Sequence, residues 1–169
     1  MTSRVALYSA ILAIIAILQT TVFQAIEIAG VRPDIALIVI AYYANQNGSF
    51  EGEIGAFIGG LVEDLLSLAP PGFHALVRAV VGFLYGLTQN KMLVDAVLVP
   101  FLLLAAGTLV KGVLASLTGT IFGVEPAATS VLSPWLFMEM AYNAVLAPIL
   151  FALLRLVRPL GQTRRESSI

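Results

Sequence analysis

The sequence contains no cysteine and a single histidine, His74. The first absence excludes a disulfide framework, a thiol nucleophile and thiolate metal sites, and leaves the redox compartment open. The second leaves too few ligands for a zinc site, which wants several histidines or carboxylates in register. Charge is also scarce. Only 11% of the 169 residues are charged, against about 25% in soluble domains, and a formal net charge of −1 favours neither acidic nor basic partners. In their place stands a 59% hydrophobic composition. A soluble domain this small cannot bury so much apolar surface, so lipid is the expected solvent. The fold class that follows is an all-α integral membrane protein with one transmembrane domain, 1–169, without metal or cofactor.

A membrane helix needs roughly 20 residues. Apolar runs bounded by turn residues predict six spans, at about 5–26, 33–47, 51–68, 73–88, 94–122 and 131–157, followed by a polar tail at 158–169. Arg4 ahead of the run from Val5 to Ile17 resembles a secretory signal. The run continues to Ile28 with few polar breaks and no small-x-small site, so it reads as a retained first helix. Pro33 suits the first turn of span 2, which places Asp34 in that turn. This span is short, and it must be tilted, sheltered by neighbours or only partly crossing. Asn45-Gln46-Asn47-Gly48-Ser49 is a strong turn signal. Glu51 and Glu53 open span 3, where acidic residues suit the positive end of a helix. Pro70-Pro71-Gly72 closes it, and Gln89-Asn90-Lys91 closes span 4. Span 5 crosses with tilt or breaks near Lys111-Gly112. Pro148 predicts a kink in span 6. The continuous apolar runs do not suit a β-barrel.

Arg4, Lys91, Arg155, Arg158, Arg164 and Arg165 fall on one side of a six-span chain, with Arg32 alone in a loop opposite. The positive-inside rule makes the charged side cytoplasmic, with both termini. Orientation and anionic lipid explain the arginine tail, without nucleic acid.

Polar residues in spans mark sites or internal ties. Glu63 and Asp64 near the end of span 3 share a depth with His74 and Arg78 in span 4. Arg78 can reach either carboxylate. An ion pair locking the hairpin, a partner or ion site, and a catalytic carboxylate pair are the three readings, and no nucleophile or metal set accompanies the last. His74 beside the turn reads as interfacial, and no serine carries a nucleophile-elbow pattern. Lys111 lies about 16 Å before Phe122 and Glu139 about 12 Å after Val131 at 1.5 Å per residue. They are expected to form a second buried pair with Asn143 adding a hydrogen bond. The alternative is a snorkelling Lys111 and a protonated or wet Glu139. Small residues recur four apart: Gly52, Ala56 and Gly60, then Gly55 and Gly59, then Gly82 and Gly86. They suit close helix packing, internally or against another protein's helix. Met138 and Met140 read as lipid-facing or core residues, and Trp135 and Tyr142 as interface anchors.

Two stretches carry a resemblance: Arg32-Pro33-Asp34 with the apolar run to Tyr42-Tyr43-Ala44, and GEIGAFIGGLVEDLLSLAPPGFHALVRAVVGFLYG from Gly52 to Gly86. Together they resemble the MreD family of bacterial rod shape-determining proteins. Pro33, Asp34, Gly59, Gly60, Asp64, Pro70, Gly72, Ala75, Leu76, Val81, Gly82, Phe83 and Gly86 sit where that family's features sit. The resemblance implies a multi-pass protein of the bacterial inner membrane without catalytic activity. It implies binding to the membrane segment of MreC and, indirectly, work with MreB, RodA and a penicillin-binding protein in cell-wall elongation. A homo-oligomer stays open. It also implies a bundle like the S components of energy-coupling-factor transporters, and hence a runner-up function as a substrate-binding transport subunit. The Ala6–Ala10 step is of the type such subunits use for docking. Asp34, Asp64 and Arg78 are expected to serve complex formation and not chemistry. The Glu63-Asp64 doublet and Lys111 depart from the family picture.

Overall fold

The structure is a computed structural model that describes residues 2–21, 27, 30–89, 97–123 and 133–156. Six helices follow one another: α1 (Thr2–Thr21), α2 (Ile35–Asn47), α3 (Ser49–Leu66), α4 (Phe73–Gly86), α5 (Leu98–Phe122) and α6 (Pro134–Leu154), with no strand element among the described residues. Lys91, Val131, Arg158, Arg164 and Arg165, which enter the expected topology and depths, lie outside the described residues.

Local chemistry sets the helix ends. The Asp34 carboxylate accepts the Leu37 N–H at 2.9 Å, an N-cap that satisfies one of the four free donors of a helix start. Asp34 therefore stands one position before the first turn of α2, and Pro33 lies outside the helix. The expected polar turn between spans 2 and 3 shrinks to Gly48, at φ 101°, a backbone that a side chain would strain. Ser133 caps α6 by accepting the Trp135 N–H, and Pro134 fills the first helical position. α5 is unbroken across Lys111 and Gly112, and α6 continues through Pro148 to Leu154.

Side-chain contacts give the helix directions. Asp34 meets Arg78 while Asn45 reaches Thr88, so α2 and α4 run parallel. Asp34 meets Asn143 while Tyr42 packs on Phe151, so α6 runs with them. Tyr8 faces Gly55 and Leu12 faces Gly59, so α1 and α3 run together. α4 and α5 are antiparallel, since Phe73 packs on Phe122 and Tyr85 on Gly107. Odd and even helices thus alternate in direction. The last turns of α1, α3 and α5 and the first turns of α2, α4 and α6 all lie at one end.

α2 is the axis of the bundle and touches all five other helices. Every residue from Ala36 to Asn45 is buried. Thirteen residues make about 20 Å of helix, short of the roughly 30 Å hydrocarbon layer. Both polar ends of α2 are enclosed by protein. Asn45 Nδ2 donates to the Thr88 carbonyl and hydroxyl at one end, and Asp34 lies buried at the other.

The glycine stripes face neighbouring helices of the same chain. A Cβ on Gly82 would sit 2.6 Å from the Gly52 carbonyl and 2.8 Å from Ala56 Cβ, and one on Gly60 would strike the Ala75 backbone. Gly86 lies on the Ser49 backbone, Gly55 under the Tyr8 ring and Gly59 under Leu12. Small side chains here let backbones meet. The outer surface is the reverse. α5 and α6 are long and apolar enough to cross a membrane, and only a third or less of each apolar stretch is buried. Leu102, Leu117, Ile121, Val145 and Ile149 are exposed on them, apolar surface of the kind that marks a membrane or protein contact.

Candidate functional site

The buried end of α2 organises the polar interior. Because Asp34 caps the helix from inside the bundle, its own N–H needs a partner, and it donates to Asn143 Oδ1 at 2.8 Å. Asn143 Nδ2 in turn donates to Thr108 Oγ1 at 3.1 Å. The Asp34 carboxylate is flanked by two cations: Arg78 Nη1 at 3.3 Å on one oxygen and Lys111 Nζ at 2.8 Å on the other.

Each cation has a second carboxylate. Arg78 Nε donates to Glu63, and Lys111 Nζ donates to Glu139. The two pairs expected from the sequence are therefore one chain, Glu63–Arg78–Asp34–Lys111–Glu139, drawn from α3, α4, the α2 cap, α5 and α6. Asn143 does not join Lys111 or Glu139, as its sequence position suggests, but fixes the Asp34 backbone. Charges removed from water cost several kcal/mol each, and mutual pairing repays that only where every partner is in place.

Asp64 has a different task from its neighbour Glu63. It is not a partner of Arg78. Its oxygens accept the backbone N–H groups of Gly72, His74 and Ala75 at 2.8–3.2 Å, where the unsatisfied donors and positive end of α4 await an anion. His74 Nδ1 lies 2.9 Å from the same carboxylate, and Nε2 stands 4.0 Å from Glu63. The Glu63-Asp64 doublet thus splits its work: one residue ties α3 to α4 by charge, the other closes the hairpin turn. Glu51 also gains a partner, the Tyr43 hydroxyl at 3.0 Å.

A cavity of about 150 Å³ opens onto this chain of charges, lined by Asp34, Glu63, His74, Arg78, Lys111 and Glu139 on its polar side. Phe73, Val77, Gly112, Ala115 and Leu136 form its apolar side. No serine, threonine or cysteine is among these lining residues. Among the described residues no group of three or more His, Cys, Asp or Glu is placed to hold a metal ion. The arrangement can hold a charged or polar group but offers no hydroxyl or thiol nucleophile.

The family model for the rod shape-determining protein MreD matches residues 2–157. The chain belongs to the MreD family. The match runs across all six helices and takes in every member of the charged chain, where the sequence resemblance rests on two stretches. No curated protein and no solved structure matches the chain. MreD is a shape-determining family and not a known enzyme family. Two further hollows on this MreD-family chain are shallow and almost wholly apolar. One lies between Val31 and the Met138, Ala141, Tyr142 and Val145 face of α6, the other between α4 and α5 around Tyr85 and Gly107.

Proposed function

We propose that this member of the MreD family is a six-span, non-enzymatic scaffold of the bacterial inner membrane that binds the membrane segment of MreC. Through MreC it supports the elongation machinery containing MreB, RodA and a penicillin-binding protein. The family match over residues 2–157 carries this reading. The bundle adds physical support. A central helix tied to its neighbours by charge, with closely packed glycine contacts around it, makes a rigid body whose outer faces are apolar. Such faces associate with another membrane helix by packing and a few hydrogen bonds, each worth about 1 kcal/mol or less. In this reading Asp34, Glu63, Asp64, His74, Arg78, Lys111 and Glu139 hold the shape of the partner surface from within. Detergent extracts test it directly. Full-length chain should co-purify with MreC, and retention of MreC no better than that of an unrelated single-span protein would remove the scaffold role.

With helix directions alternating, Arg4 and Arg155 lie at one end, and the Pro70–Gly72 turn and Arg32 at the other. If basic residues keep to the cytoplasmic side, both termini are cytoplasmic and the charged cavity lies towards the periplasm. Since the chain has no cysteine, a single Pro71→Cys change at this exposed turn reports the topology. It should react with a membrane-impermeant thiol reagent in cells stripped of their outer barrier. Labelling only after permeabilising the inner membrane would reverse the orientation. The transport-subunit alternative gains little support: the polar cavity, about 150 Å³, is below the roughly 300–1,000 Å³ of drug-sized sites, and the larger hollow beside Val31, about 320 Å³, is almost wholly apolar.

A further inference from the structure

The chain Glu63–Arg78–Asp34–Lys111–Glu139 alternates in sign and ends on a carboxylate at both ends. Three carboxylates face two cations, so one negative charge is in surplus. Asp64 makes no contact with either cation: its oxygens are held by backbone donors at the start of α4 and by His74. The end carboxylates are the accessible ones: the Glu63 and Glu139 side chains are 22% and 20% exposed, against 8% for Asp34. Both line the same cavity. Arg78 engages Glu63 through Oε2 and Lys111 engages Glu139 through Oε1; the other Glu63 oxygen, Oε1, stands 4.0 Å from His74 Nε2, which lines the same cavity. Among the described residues, Lys111 is the one cation that reaches Glu139.

We propose that this cavity binds a primary ammonium group, which joins the two end carboxylates and closes the chain into a ring of alternating sign. Such a ring removes the surplus charge from a buried setting where an unpaired charge is costly. The chemistry selects ammonium over a metal ion. Calcium and magnesium want six or more oxygens, whereas an ammonium has three donors. Its carbon stem suits the apolar walls of Phe73, Val77 and Ala115. Arg78 Nη2 makes no hydrogen bond among the described residues, so it can donate to a hydroxyl or phosphate oxygen on the same ligand. Ethanolamine-type chemistry meets both demands, supplied by an aminophospholipid headgroup or by a soluble amine. The inference rests on the charged chain and not on the scaffold role.

The test uses full-length protein in nanodiscs of phosphatidylglycerol alone, or of phosphatidylglycerol with phosphatidylethanolamine. Ethylammonium chloride should raise the unfolding temperature of the first preparation above that in equal sodium chloride. The expected rise is roughly 3–6 °C at ten times its dissociation constant. A rise from phosphatidylethanolamine without one from ethylammonium assigns the headgroup as the source, and the reverse assigns a soluble amine. Glu139→Gln and Glu63→Gln each cancel the surplus charge. Each should abolish the rise, read against that variant's own unfolding temperature in sodium chloride. No rise from either source, or a rise that survives both glutamine changes, would overturn the proposal.

Discussion

Arg78→Met should remove most of the folded protein from the membrane. Arg78 is buried to within 5% of its surface and stands between Glu63 and Asp34. The methionine fills similar space, so the loss is one of charge. Without the guanidinium, three carboxylates share Lys111 alone. Breaking a buried pair by deleting one partner costs about 3–5 kcal/mol in soluble proteins. Whole domains have only about 5–15 kcal/mol in hand. Monodisperse protein in detergent, measured by fluorescence-detected size exclusion of a tagged chain, should fall several-fold. A yield equal to wild type would show that the Arg78 contacts are superficial.

The second large effect is at Lys111. Lys111→Glu replaces the cation between Asp34 and Glu139 with a fourth carboxylate, and folded yield should fall at least as far as for Arg78→Met. Two isolated pairs would make this loss reversible by the reciprocal Glu139→Lys change. The structure says otherwise, because Lys111 Nζ also touches Asp34 at 2.8 Å. The introduced glutamate still faces Asp34 after the swap. Double-swap protein should therefore stay well below wild type in the same size-exclusion assay.

Much of the architecture is legible in the sequence, because lipid forces apolar runs into helices and Pro, Gly and Asn punctuate them. The helix limits at Phe73, Phe122 and Leu154 lie close to span ends read from composition. α2 shows why such reading stops short. Its 13 residues are too few to cross alone, and nothing in their apolar run tells that five helices surround them. The charged chain shows the same limit. Depth along antiparallel helices suggests Lys111 with Glu139, since that pair needs only rise per residue and one loop. Asp34 lies 77 residues from Lys111 and 44 from Arg78, and no periodicity encodes that meeting. In the sequence it reads as a local first-turn residue, whereas its capping position aims the carboxylate at both cations. Asp64 is legible in principle: a carboxylate shortly before a Pro-Pro-Gly turn is well placed to receive the next helix start. The neighbouring Glu63 obscures the division.

That Asp34 joins two ion pairs into one network is tested most directly by adding Asp34→Asn to the Lys111→Glu, Glu139→Lys double swap. Asparagine keeps a capping oxygen and removes the charge that opposes the introduced glutamate in the swapped protein. Two neutral pairs then remain, Glu63 with Arg78 and the reversed pair between α5 and α6. The network predicts that the triple variant recovers folded yield well above the double. Recovery already complete in the double swap, with nothing gained from Asp34→Asn, would contradict it.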